Sequence, residues 1–219
     1  MMNARRLTAT VLFSAAAVTA LGGCKSTGEI VVSSGVGITA VRSPCPAVGI
    51  PNYTGDITLF RPGPKTENNL DVVAAMTDVR TQCNDSGPKV SSQVSFAVQA
   101  RRYDTKGERT VTLPYFVSML QGGSAVVSKR IGQVTLHFAD GQDRAQATAS
   151  STAYVDRAAA TLPSEVRDRI TAKRRAGDQD AALDPLADPT VKAAVARATF
   201  EVLVGFQLND DQIAYNAKR

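Results

Sequence analysis

A chain of 219 residues, 43% hydrophobic and 21% charged, holds enough apolar material for one large domain or two small ones, and its composition excludes a disordered or collagen-like protein. Its formal charge of +5 is too mild for a nucleic-acid footprint: the densest cationic run, Lys173-Arg174-Arg175, has no stacking aromatic beside it and reads as a solvated helix end. Trp is absent and aromatics make up 5%, so a core must rest on Val, Ala, Leu and a few Phe and Tyr.

The chain begins with a targeting pattern. Arg5 and Arg6 supply positive charge, and Leu7 to Leu21 carry none. A bilayer-spanning helix needs ~20 predominantly apolar residues. This stretch is shorter and stops at Gly22-Gly23, which fits a secretory signal peptide over residues 1–23. The run Leu21-Gly22-Gly23-Cys24 resembles the bacterial lipobox. That resemblance implies cleavage before Cys24, diacylation of its thiol by fatty acids such as palmitate, and anchoring through two or three acyl chains, above the threshold for stable membrane attachment. The competing reading is an ordinary signal peptide that ends near a cysteine. Removing residues 1–23 takes Arg5 and Arg6 with them and leaves 196 residues with a formal charge of +3. Lys25 after the anchor position, in place of Asp, points to the outer membrane by the familiar enterobacterial sorting pattern.

Residues 24–44 mix Gly, Ser and Thr with short Val and Ile patches and read as a tether, in which Glu29 to Val32 can add an edge strand. Pro44-Cys45-Pro46 marks entry to a single domain over 45–219. With Cys24 assigned to lipid, Cys45 and Cys83 form an even pair 38 residues apart, which in an exported chain reads as a disulfide. Such a crosslink is worth ~3–4 kcal/mol. The alternatives are a two-cysteine metal site or two free thiols, and no histidine or further cysteine lies near either position.

Regular turn signals follow: "RPGP" (61–64), "NDSGP" (84–88), "DTKGE" (104–108), "QGGS" (121–124) and "ADGQ" (139–142). The segments between them read as strands. Val90, Val94, Phe96, Val98 and Ala100 share one parity, opposite Ser91, Gln93, Ser95, Gln99 and Arg101. Val111, Leu113, Tyr115, Val117 and Met119 do the same, although Pro114 predicts an edge strand or a change of sheet there. In "SAVVSKRIGQVTLHF" the apolar parity shifts between Ile131 and Val134, and Gly132 is the expected site of a bulge. "QDRAQATASSTAYV" is a weaker, Ala-rich strand, and "ATFEVLVGFQL" aligns Phe200, Val202, Val204, Phe206 and Leu208.

Between the last two strands the period changes. Leu162, Val166 and Ile170 are spaced as on an amphipathic helix over 161–177, with Gly177 past its end. "PTVKAAVARA" predicts a short second helix, and Asn209 with Gln212 has the spacing of a helix cap. Short strands joined by close turns predict an all-β fold: an antiparallel, immunoglobulin-like β-sandwich with a helical insertion at about 162–197 before the last strand.

No catalytic constellation emerges, and the chain reads as no enzyme, with no cofactor and no metal site. His137, the one histidine, takes the parity opposite Leu136 and Phe138, as a surface residue would. No G-x-S-x-G elbow, H-E-x-x-H pair or phosphate-cradling glycine loop is present. A glycosidase would need two acids flanking a cleft, with Asp140, Asp143, Asp156 and Glu201 the candidates.

The C-terminal "FEVLVGFQLNDDQIAYNAKR", with "CPAVGI", "FRPGP", Cys83 and "LPYFVSML", resembles a group of small alphaproteobacterial lipoproteins of unknown function, over Cys45 to Tyr154 and Ala198 to Asn216. The stretch from Leu162 to Arg197 is longer than the resemblance implies. The resemblance implies an anchored envelope protein and brings no catalytic residues. The expectation is a lipoprotein held at the cell envelope through its lipid anchor, facing the periplasm, and acting as a binding or structural module. It would bind no nucleic acid, and the sequence specifies neither ligand nor oligomeric state. The rivals are an envelope hydrolase using paired carboxylates, and an assembly partner docking on another envelope protein through segment 162–197, with an exposed apolar patch near Val166 and Ile170.

Overall fold

The computed structural model describes residues 43–172 and 183–219. Leu21, Gly22, Gly23, Cys24, the tether up to residue 42 with its candidate strand at Glu29 to Val32, and the predicted helix end at Gly177 all lie outside the described residues.

The described chain runs β1 (Ala47–Gly49), β2 (Asp56–Phe60), β3 (Leu70–Asn84), β4 (Lys89–Arg102), β5 (Arg109–Gln121), β6 (Ala125–Phe138), β7 (Arg144–Asp156), α1 (Ser164–Thr171), α2 (Pro189–Ala198), β8 (Phe200–Phe206) and α3 (Asp210–Lys218). The strands form two four-stranded sheets, ordered β1-β8-β5-β6 and β2-β3-β4-β7. All pairings are antiparallel except β1 with β8. The chain crosses between sheets four times, and two of the crossings interlock: β4 leads to β5 and β7 leads to β8, while β4 neighbours β7 and β5 neighbours β8.

The two sheets face each other across one core. The period-2 residues supply it: Val94 and Val98 from β4, Leu113 and Met119 from β5, Leu136 and Phe138 from β6, and Val202, Val204 and Phe206 from β8 all contribute buried side chains. Alternation makes this packing possible, because successive side chains on a strand point to opposite faces.

Two expectations about β5 and β6 need correction. β5 is an interior strand, paired with β6 and β8. Pro114 is accommodated because the β8 ladder begins at Tyr115, and the Pro114 carbonyl, on that same side, accepts from Gln207 N–H at 2.9 Å. The missing donor therefore falls where β5 loses its neighbour. Gly132 makes no bulge; it stands in unbroken register opposite Tyr115. A Cβ there would lie 2.8 Å from Tyr115 Cε1 and closer to the rest of the phenol, so glycine is what lets the ring lie across β6. The register shift between these strands occurs instead near the hairpin, between Met119 and Leu120.

β3 carries a bulge that the sequence reading did not anticipate. Its register on β4 shifts between Thr77 and Arg80, with Asp78 in the left-handed region at φ 52° and its carboxylate 2.6 Å from Arg80.

The register separates the sandwich into two ends. At one end Asn84 pairs with Ser91, Lys89 with Asp156, and Gln121 with both Ala125 and Phe200. Ser43 enters at this end, because Ala47 pairs with Glu201, which in turn opposes Leu120. At the far end, Arg102 is 1% exposed and donates to the carbonyls of Gln142, Thr105 and Ala139 at 2.8–2.9 Å, holding two turns together.

Candidate functional site beside the disulfide

At the end where Ser43 enters, Cys45 and Cys83 form a disulfide with Cα atoms 6.0 Å apart, inside the usual range for an unhindered bridge. The bond ties the segment before β1 to the end of β3. It adjoins a cleft of about 520 Å³ between the sheets and the two helices, within the range that holds small ligands.

The helices line this cleft because of their apolar stripes. Ile170 of α1 is 1% exposed and Val191 of α2 is fully buried, while the charged residues of both helices point outward. Leu162, Ile170, Val195 and Phe200 form apolar wall. The exposed apolar patch expected near Val166 and Ile170 is therefore absent: Ile170 is buried and Val166 half-buried. α1 ends at Thr171, and the rest of its predicted length lies outside the described residues.

Asp188 fastens α1 to α2. As the N-cap of α2 it accepts from the Thr190 N–H and hydroxyl at 2.8 and 2.6 Å, and from Arg169 of α1 at 2.7 Å. The Thr190 bonds, with Arg169 after them, hold this carboxyl well below the usual carboxylate range.

The rim of the cleft is charged. Arg157 and Arg167 stand on it with Asp85. Arg157 and Asp85 make no ion pair among the described residues, and Arg167 reaches only its neighbour Asp168, at 3.7 Å. An apolar wall under two guanidinium groups suits an amphipathic molecule with an acidic group. Sequence reasoning found the helical stripe but not the cleft, because Arg157, Ile170 and Phe200 are far apart in sequence and line one cleft only in the folded chain.

The acids proposed for hydrolysis divide between the two ends of the sandwich. Asp140 accepts from Gly107 N–H and Asp143 pairs with Arg101 at the far end, whereas Glu201 and Asp156 belong to the end near Ser43. His137 is exposed, its Nδ1 3.0 Å from Thr110 Oγ1. Among the described residues, no three of His, Cys, Asp or Glu converge as metal ligands would, and no helix is long and apolar enough to cross a membrane.

The C-terminal motif has a structural role. Gly205 lies under Thr54, and Asn216 Nδ2 donates to the carbonyls of Tyr53 and Asp56 at 2.8 and 2.9 Å. β8 and α3 thus clamp the loop after β1, and these residues are far in sequence but adjacent in the fold. No protein-family model, curated protein or solved structure matches this chain.

Proposed function

We propose that this protein is a lipid-anchored lipoprotein of the cell envelope, attached through Cys24, facing the periplasm, and working as a binding module. The cleft beside the disulfide carries the binding reading: it combines an apolar wall with two rim arginines, Arg157 without an ion pair among the described residues and Arg167 beside Asp168, at a size suited to a small amphipathic ligand. The Cys45–Cys83 bond supports export, since such bonds persist in oxidising compartments. The interlocked crossings β4–β5 and β7–β8 support an immunoglobulin-like sandwich with α1 and α2 as its insertion. The parallel β1 is its departure from that plan.

The anchor is tested with globomycin, which should make unprocessed precursor accumulate, and with Cys24→Ser. A Cys24→Ser protein that stays on the membrane at normal mature size ends the anchor reading. The binding role is tested by purifying the lipidated protein from native membranes and recording native mass spectra beside Ala198→Trp, which fills the cleft. Wild type should carry a small acidic amphiphile that the variant lacks. An empty wild-type cleft, or equal loading of both, would overturn the binding role.

A further inference from the structure

Ala125 to Ile131, the first seven residues of β6, are all exposed. Because a strand alternates its faces, both faces of this half-strand are open to solvent. Val126 is 61% exposed, Val127 49% and Ile131 56%, which makes this the densest group of exposed large apolar side chains among the described residues. A turn with Gly122 and Gly123 at φ 63° and 78° joins the strand to β5, where glycine alone is unstrained.

The charge here has one sign. Lys129 and Arg130 flank the apolar residues, neither is ion-paired among the described residues, and Lys129 Nζ lies 5.3 Å over the Phe116 ring. No carboxylate occurs between Arg109 and Ala139. Glu201 is the acid in nearest register, two strands inward from Val126 through Leu120. β6 pairs only with β5, so its outer edge is open among the described residues.

We propose that the β5–β6 hairpin is a second membrane contact, with Val126, Val127 and Ile131 entering an anionic lipid surface and Lys129 and Arg130 meeting its headgroups. A flat protein partner would cover one face of the strand, whereas here both faces carry the exposure. Cations on an open edge also oppose the addition of a further strand, and the same cations are attracted to an anionic leaflet at about fivefold in partition for each. The hairpin shares its end of the sandwich with Ser43. The 18 residues between Cys24 and Ser43 can span at most about 65 Å, and an anchor at Cys24 would attach the domain to the bilayer by this end. The proposal takes only this orientation from the lipid-anchor reading.

The test places the photocrosslinker benzoylphenylalanine at Val127, Ile131 or Thr135 of the full chain in native membranes. Thr135 is exposed on the same strand, nearer the far end. Adducts of phospholipid mass are expected at 127 and 131, about tenfold above 135, and Lys129→Gln with Arg130→Gln should lower them by roughly fivefold per cation. Adducts to another protein or to a second copy of the chain, or equal lipid yields at all three positions, overturn the proposal. If the chain instead proves to be released with Cys24 unmodified, the anchor reading fails alone, and that soluble chain is floated with vesicles. Binding to phosphatidylglycerol but not phosphatidylcholine, lost in Val127→Ser, then supports the hairpin contact, and binding to neither overturns it.

Discussion

Thr54 lies directly over Gly205, with its Cβ 2.8 Å from where a side-chain carbon at Gly205 would begin. The threonine cannot retreat, because its hydroxyl and N–H both donate to the Pro51 carbonyl and its own carbonyl accepts from Phe206 N–H at 2.8 Å. Phe116 Cζ closes the other side at 3.0 Å. Gly205→Ala should therefore destabilise the fold by about 1–3 kcal/mol through overpacking. A urea midpoint read by circular dichroism measures the loss, and Thr54→Gly in the same chain should recover part of it.

Asn216 secures the same loop from α3. It is 8% exposed, and its amide donates to two partly buried carbonyls. Asn216→Ala should cost about 2 kcal/mol, from the loss of two hydrogen bonds of about 1 kcal/mol each. Asn216→Asp should be worse, since a carboxylate would face the oxygens of Tyr53 and Asp56. Amide exchange in residues 53–56 should accelerate in both variants; protection as in wild type would contradict this role.

Reducing the Cys45–Cys83 bond releases a loop of 38 residues in the unfolded chain. Chain entropy puts the loss at about 4 kcal/mol. Cys45→Ala with Cys83→Ala should show it as a lower urea midpoint, together with weaker protection of β1, which among the described residues only β8 otherwise holds in its sheet. Labelling of two free thiols in the exported wild-type protein would contradict the bridge.

The Asp71–Arg109 pair gives the protein a pH dependence. Two bonds of 2.6 and 2.7 Å join the side chains, and the hydrogen bond from Arg109 holds the Asp71 carboxyl below its ordinary range, against the opposing effect of burial. The folded-state pKa is lower than the unfolded one, so the contribution is complete above about pH 4 and disappears as pH falls through the folded-state value. Asp71→Asn should cost about 1 kcal/mol at pH 7, and the difference from wild type should vanish in strong acid. A constant difference down to pH 2 would assign the effect to packing.

The strands were legible because each carries its own period. Val90 to Ala100, Val111 to Met119 and Phe200 to Leu208 bury the residues that alternation selects. The cap at Asn209 was equally readable, since Gln212 must stand three residues away to complete the reciprocal bonds. Arg102 shows the limit. It shares the buried parity of β4, yet no local rule announces that a guanidinium can be sealed there, because its acceptors belong to turns 3 to 40 residues later.

The sequence by itself therefore determined the strands from β4 to β8, the turns, the helical stripe and the pairing of Cys45 with Cys83, all properties of short range or of simple counting. The tertiary structure alone decided that Pro114 sits in an interior strand and that Gly132 serves the Tyr115 ring. It also decided that Ile170 closes a cleft and that the exposed half of β6 shares an end with Ser43. Those outcomes depend on which strand lies beside which and in what register, and residue periodicity leaves that choice to the packing of the whole chain.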